Sequence, residues 1–143
     1  MAAADVISVL KILLEGASEL SYVKEVLLGV REKMTLFPCL IIEPLSLTES
    51  DDTYARQVLT MCVSVIGYIH CTNKDKQIAG DADTKGILDF ENDLKKALDS
   101  NRTLSGAAID TRITETVYEF AEYPLRSFAL RLEVIFRQIA GTR

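Results

Sequence analysis

Between Ser127 and Arg137 the chain alternates without a slip. Phe128, Leu130, Leu132, Val134 and Phe136 fall on one side, and Ser127, Ala129, Arg131, Glu133, Ile135 and Arg137 on the other. Successive residues of a strand point to opposite faces, so as a β-strand this run presents one apolar face and one largely polar face. An α-helix would spread the same apolar residues around its circumference. A strand with one apolar face needs neighbours to pair with and a layer to cover it, and the rest of the chain must supply both.

The neighbours can be read off the same way. From Val58 to Cys71, Leu59, Met61, Val63, Val65 and Ile69 share one face, with Thr60, Ser64 and His70 on the other and β-branched residues abundant. If this strand starts near Tyr54 it exceeds the usual ~3–10 residues, so part of it is expected to overhang the core. Gly67 is expected to mark a bulge or bend. Two further runs close the chain, Ile109 to Ala121 and Arg126 to Ile139, separated by Pro124. Upstream, Phe37-Pro38 stops any helix, because the residue before proline is pushed into extended geometry. Cys39 to Glu43 then reads as a short apolar strand closed by Pro44, with a polar loop from Thr48 to Thr53. Ser21 to Leu28 suits either a short strand or a helical turn, strand being the preferred reading, and Gly29 ends it.

The covering layer comes from two amphipathic segments. Asp5 to Ala17 places Val6, Leu10, Leu13, Leu14 and Ala17 on one helical face, with Asp5 at the positive N-terminus. A second helix, from Asp83 or Thr84 to about Asp99, carries Ile87, Phe90, Leu94, Ala97 and Leu98 as its stripe, and Glu91 can pair with Lys95. Thr72 to Asp83 reads as a loop, and Asn101 to Gly106 as a turn. The expected fold is α+β, one domain over residues 1–143: a single mostly antiparallel sheet of four to five strands with two helices packed on one face. Antiparallel pairing is expected because the connections are short.

Chemistry is harder to find. The chain has one histidine, His70, next to Cys71, but adjacent strand residues face opposite ways and cannot form a Cys–His pair. Cys39, Cys62 and Cys71 are odd in number, lie in or beside apolar runs and show no Cys-x-x-Cys spacing, so three reduced thiols are expected, not a disulfide framework or a zinc site. The glycines form neither a Walker loop nor a dinucleotide fingerprint. The carboxylates are scattered, and Asp81, Asp83 and Gly86 do not follow the EF-hand pattern. The expectation is a chain with no catalytic residues, no cofactor and no metal. A net charge of −5 weighs against a phosphate-binding surface. Met1 to Asp5 carries no basic region, and Lys11 and Glu15 interrupt the apolar positions after it, so neither a secretory signal nor a membrane span is expected.

One family fits this order of elements. The strand Leu36-Phe37-Pro38-Cys39-Leu40-Ile41-Ile42-Glu43-Pro44 precedes a long apolar strand and an amphipathic helix; then come Leu98-Asp99-Ser100-Asn101-Arg102-Thr103-Leu104-Ser105-Gly106 and two alternating strands. Over roughly Asp5 to Gln138 this resembles the tail terminator, or tail-to-head joining, proteins of long-tailed bacteriophages. The resemblance implies a virion structural protein, made in the host bacterial cytoplasm, that caps the tail tube as a ring, usually a hexamer. It further implies contacts with the tail tube protein and with the head-tail connector or stopper, DNA passing through the ring without sequence-specific binding, and no enzymatic activity. The residues expected at contacts between copies are Arg131, Glu133 and Arg137 on the last strand's polar face, with Glu115 and Glu119 on the strand before it. The competing readings are another neck or tail-tube component, and a small-molecule-binding α+β regulatory module, which would need a cleft with convergent polar groups.

Overall fold

A computed structural model describes residues 3–29, 36–53, 56–81, 85–119 and 123–139. Helix α1 (Ala3–Gly16) leads into strand β1 (Glu25–Leu28), then β2 (Cys39–Thr53) and β3 (Arg56–His70). Helices α2 (Lys74–Ile78) and α3 (Ile87–Asp99) follow, and β4 (Asp110–Glu119) and β5 (Leu125–Ile139) complete the order. The five strands form one sheet in the order β1-β2-β3-β5-β4, an α+β arrangement as expected.

The alternation of β5 is realised in full. Phe128, Leu130, Leu132, Val134 and Phe136 are all buried, and β3 meets them with Leu59, Met61, Val63, Val65 and Ile69. Onto this face α1 packs Val6, Leu10 and Leu14, and α3 packs Ile87, Phe90, Leu94, Ala97 and Leu98, all within one core cluster. Glu91 pairs with Lys95 at 2.5 Å, as the spacing predicts. The helix starts at Ile87, behind an extended Gly86, and the predicted start at Asp83 or Thr84 lies outside the described residues. A Cβ on Gly86 would come within 2.5 Å of the Gly80 nitrogen, so the helix start is pressed against the end of α2.

Three of the four strand pairings are antiparallel, as expected, and the pairing of β1 with β2 is parallel, which makes the sheet mixed. A strand as short as Glu25–Leu28 spans only ~13 Å, and the connection 29–38 can reach back over that distance, so a short linker does not force a hairpin here. Pro44 does not close β2, and Thr48 to Thr53 is strand, not loop. The strand passes Pro44 through a bulge between Pro44 and Ser46 and stays paired with β3. Proline lacks an N–H and is tolerated at a bulge, where the ladder is interrupted anyway. The misleading signal is exposure on both faces: Pro44 to Glu49 are all exposed, so no apolar alternation marks this half of the strand.

Gly67 is neither bulge nor bend, since its pairing with Leu40 and Phe128 is in unbroken register. It is a gap filled by aromatic rings. A Cβ there would overlap the Phe128 ring and come within 3.0 Å of Phe90 Cε2. Phe90 and Phe128 meet edge-to-face at 5.3 Å, and Tyr22 packs on Phe90 at 5.7 Å. The predicted loop from Thr72 to Asp83 contains α2, capped by Asn73, whose Oδ1 accepts from the Lys76 N–H at 3.2 Å. Its buried residue is Gln77, which donates to the Cys71 and Pro124 carbonyls at 2.6 and 3.2 Å. A helix that anchors through an amide has no apolar stripe to betray it. The Tyr54 start and the Ala121 end of the predicted strands lie outside the described residues.

Candidate functional site

Helices α1 and α3 cover one side of the sheet, and strand periodicity therefore fixes what stands on the other. Cross-strand partners point to the same face, so the register gives this second face row by row. One row runs Leu27, Ile41, Ile66, Ala129, Val117 across all five strands, apolar throughout. On one side of it lie Glu25, Cys39, Tyr68, Ser127 and Glu119. On the other lie Glu43, Ser64, Arg131 and Glu115, followed by Ser46, Cys62, Glu133 and Arg112.

The middle of this face is dense even without a second layer from α1 and α3. Cys39, Ile41, Ser127 and Ala129 are buried, yet none of them belongs to the core cluster under the helices. Leu27, Ile66 and Val117 remain half-buried. Burial, with Glu25 adding to it, pushes the Cys39 thiol up to about 11. Burial also raises the Tyr68 phenol, with Glu119 next among the causes. Both groups are neutral at ordinary pH, so the charge on this face sits at its ends and beyond the apolar row.

All five residues expected at contacts between copies stand on this one face: Arg131, Glu133, Arg137, Glu115 and Glu119. The structure brings two of them together within the chain. Arg131 Nη1 donates to Glu115 Oε1 at 2.7 Å, with both side chains about half exposed, at 50% and 51%. Arg131 therefore meets any neighbour as one half of an ion pair and not as a lone cation. Glu133 faces Arg112 across the strands, and Arg112 Nε in turn reaches Asp110 at 3.2 Å. The Arg102 guanidinium, which donates to Asp110 at 2.9 Å from both Nε and Nη2, holds that carboxyl below its ordinary range, with Arg112 helping.

The sheet's edges differ. Only Cys39–Ile42 of β2 is lined by β1; beyond it, among the described residues, no strand pairs with the outer edge of Pro44–Thr48. That stretch exposes Leu45 and Leu47, at 53% and 45%. The other edge is β4, where Tyr118 donates to the buried Glu91 of α3, a bond that lifts the phenol to about 12. Sequence reasoning missed the apolar row and the open leucines, because a row across strands exists only once the register is known.

His70 and Cys71 do not act together. His70 is exposed and leans on the Phe37 ring at 5.9 Å, while the Cys71 thiol points to the Asn73 carbonyl at 3.5 Å. The three cysteines are free thiols. Among the described residues, no three His, Cys, Asp or Glu side chains gather as a metal-holding group, and no helix is long and apolar enough to cross a membrane. The chain matches no protein-family model and no curated protein.

Proposed function

We propose that this chain is a virion structural protein of a long-tailed bacteriophage, a tail terminator that closes as a ring on the tail tube and joins it to the head connector. The resemblance of its element order to that family supports the reading, and the hexameric number comes from the resemblance alone. The observation that carries it physically is the sheet face away from α1 and α3: an apolar row across five strands, bordered by charges of both signs. Such a face suits a protein partner better than a solvated surface. The two edges strengthen the argument. The stretch of β2 left open beyond β1 and the edge strand β4 face outward on opposite sides of the sheet, the arrangement that a head-to-tail contact needs if it is to repeat and close. In this reading the partners are further copies of the chain, the tail tube protein and the connector or stopper, with DNA crossing the ring unread.

The test is light scattering across a wide concentration range and electron microscopy, each with and without purified tail tubes. Closed rings that cap tubes are the expected result. Continuous tubes from the protein alone would make it a tail-tube subunit, and a strict monomer that ignores tube ends would sink the proposal. Arg131→Glu sets two like charges side by side at Glu115 and alters every junction at once. It should weaken assembly strongly while costing the isolated chain about 1 kcal/mol or less, because exposed pairs contribute little.

A further inference from the structure

Where β3 ends, a cleft of about 290 Å³ opens among Tyr22, Lys24, Phe37, Ile69, His70 and Lys85. None of the five charged residues assigned above to contacts between copies lines it. Its walls are flat and apolar: Phe37 leans on His70 at 5.9 Å, and Tyr22 is braced edge-on against Phe90 at 5.7 Å. Its charges are of one sign. In a chain of net charge −5, two lysines line this cleft, and among the described residues no carboxylate does.

Asp93, an acid bonded to two of the lining residues, is already engaged. Asp93 accepts the Tyr22 hydroxyl at 2.7 Å and lies 3.3 Å from Lys85 Nζ, which also sits 5.3 Å above the Tyr22 ring. That fixes Lys85 at the rim without using up its three donors. Lys24 has no acidic partner among the described residues. Arg102 and Arg112 also share one carboxylate, Asp110, but both guanidinium groups close on it, whereas here Lys85 alone reaches Asp93.

We propose that this cleft binds a small aromatic carboxylate. The ring lies between the Phe37–His70 wall and the Tyr22–Ile69 side, and the carboxylate is held by the ammonium groups of Lys24 and Lys85. The volume stands at the lower limit of small-molecule sites, about 300 Å³, which fits one ring system and excludes a dinucleotide. A neutral ring would gain only the apolar contacts, and a bare carboxylate only the charges, so affinity should require both on one molecule.

The single histidine makes the test direct, since its ring-proton nuclear magnetic resonance signals come from one residue, and that residue lines the cleft. Full-length protein is titrated with indole-3-acetate, with its neutral amide indole-3-acetamide, and with acetate. The expected result is a saturating shift of the His70 signals with indole-3-acetate, at least about tenfold weaker binding of the amide, and no saturation with acetate. Lys24→Gln, at an exposed position, should weaken the acid by about tenfold and leave the amide unchanged. Arg131→Glu should leave acid binding intact whether or not rings form, so failure of assembly and failure of this site are told apart. Equal binding of acid and amide, no saturation by about 10 mM, or indifference to Lys24→Gln would each overturn the proposal.

Discussion

The two faces of the sheet are made by the same strands and solve burial in different ways. Under α1 and α3 the side chains are long, branched or aromatic, and they interdigitate with a second layer: Phe128 and Phe136 from β5, Leu59 and Met61 from β3, Phe90 and Leu94 from α3. On the opposite face burial falls on residues such as Cys39, Ser127 and Ala129, hidden without joining the cluster under the helices. The first face owes its stability to packing between layers, which is sensitive to volume. The second face buries Ile41 and Ala129 of its apolar row without that layer and leaves Leu27, Ile66 and Val117 half-buried.

Substitutions that change volume on each face should sharpen this contrast. The largest effect is expected from Leu94→Ala, which empties a fully buried site between α3 and the sheet and should cost about 2–5 kcal/mol in chemical denaturation. A loss below about 0.5 kcal/mol would mean that α3 does not hold the layer together. Gly67→Ala should come next, because one added methyl group meets the Phe128 and Phe90 rings at once. Overpacking of this sort costs about 1–3 kcal/mol, and a neutral result would show that the aromatic cluster can slide.

The smallest effect is expected on the opposite face and shows only at high pH. The Cys39 thiol, ordinarily near 9.0, is held at about 11 in the fold. The unfolded chain therefore ionises this thiol first, so its contribution is complete below about pH 9 and is lost as pH rises through about 11. Tyr68 and Tyr118, both raised, act in the same direction at higher pH. Cys39→Ala should thus flatten part of the decline in stability between about pH 9 and 11, measured against the native chain. An unchanged slope would mean that Cys39 is not held away from water.

Much of the covered face was legible in the sequence, because period-two and helical stripes are written in single residues. The β5 alternation, the β3 stripe and the α3 stripe from Ile87 to Leu98 all landed where the pattern places them. Legibility failed where local pattern and tertiary role part company. The stretch of β2 from Pro44 to Glu49 looks like a loop because it is exposed on both faces. Gly67 looks like a bend because nothing local reports that two rings from β5 and α3 will converge on it. Helix α2 is held by the Gln77 amide rather than by an apolar stripe. For the candidate site, parity alone put the charged residues of β4 and β5 on one face, but the Arg131–Glu115 bond and the apolar row needed the register between strands.

The bulge in β2 has a further consequence, for how this strand tolerates changes in length. Before it, odd-numbered residues share the face of Ile41; after it, the even-numbered Ser46 and Thr48 do, opposite Cys62 and Thr60. Leu45 is the surplus residue that shifts the phase. Removing one residue from a regular strand normally inverts every side chain beyond the cut. Removing Leu45 instead restores an even ladder, with Ser46, Leu47 and Thr48 keeping their partners on β3. The strand thus carries one spare residue beside its open edge, a point where the chain can shorten without turning its surface inside out.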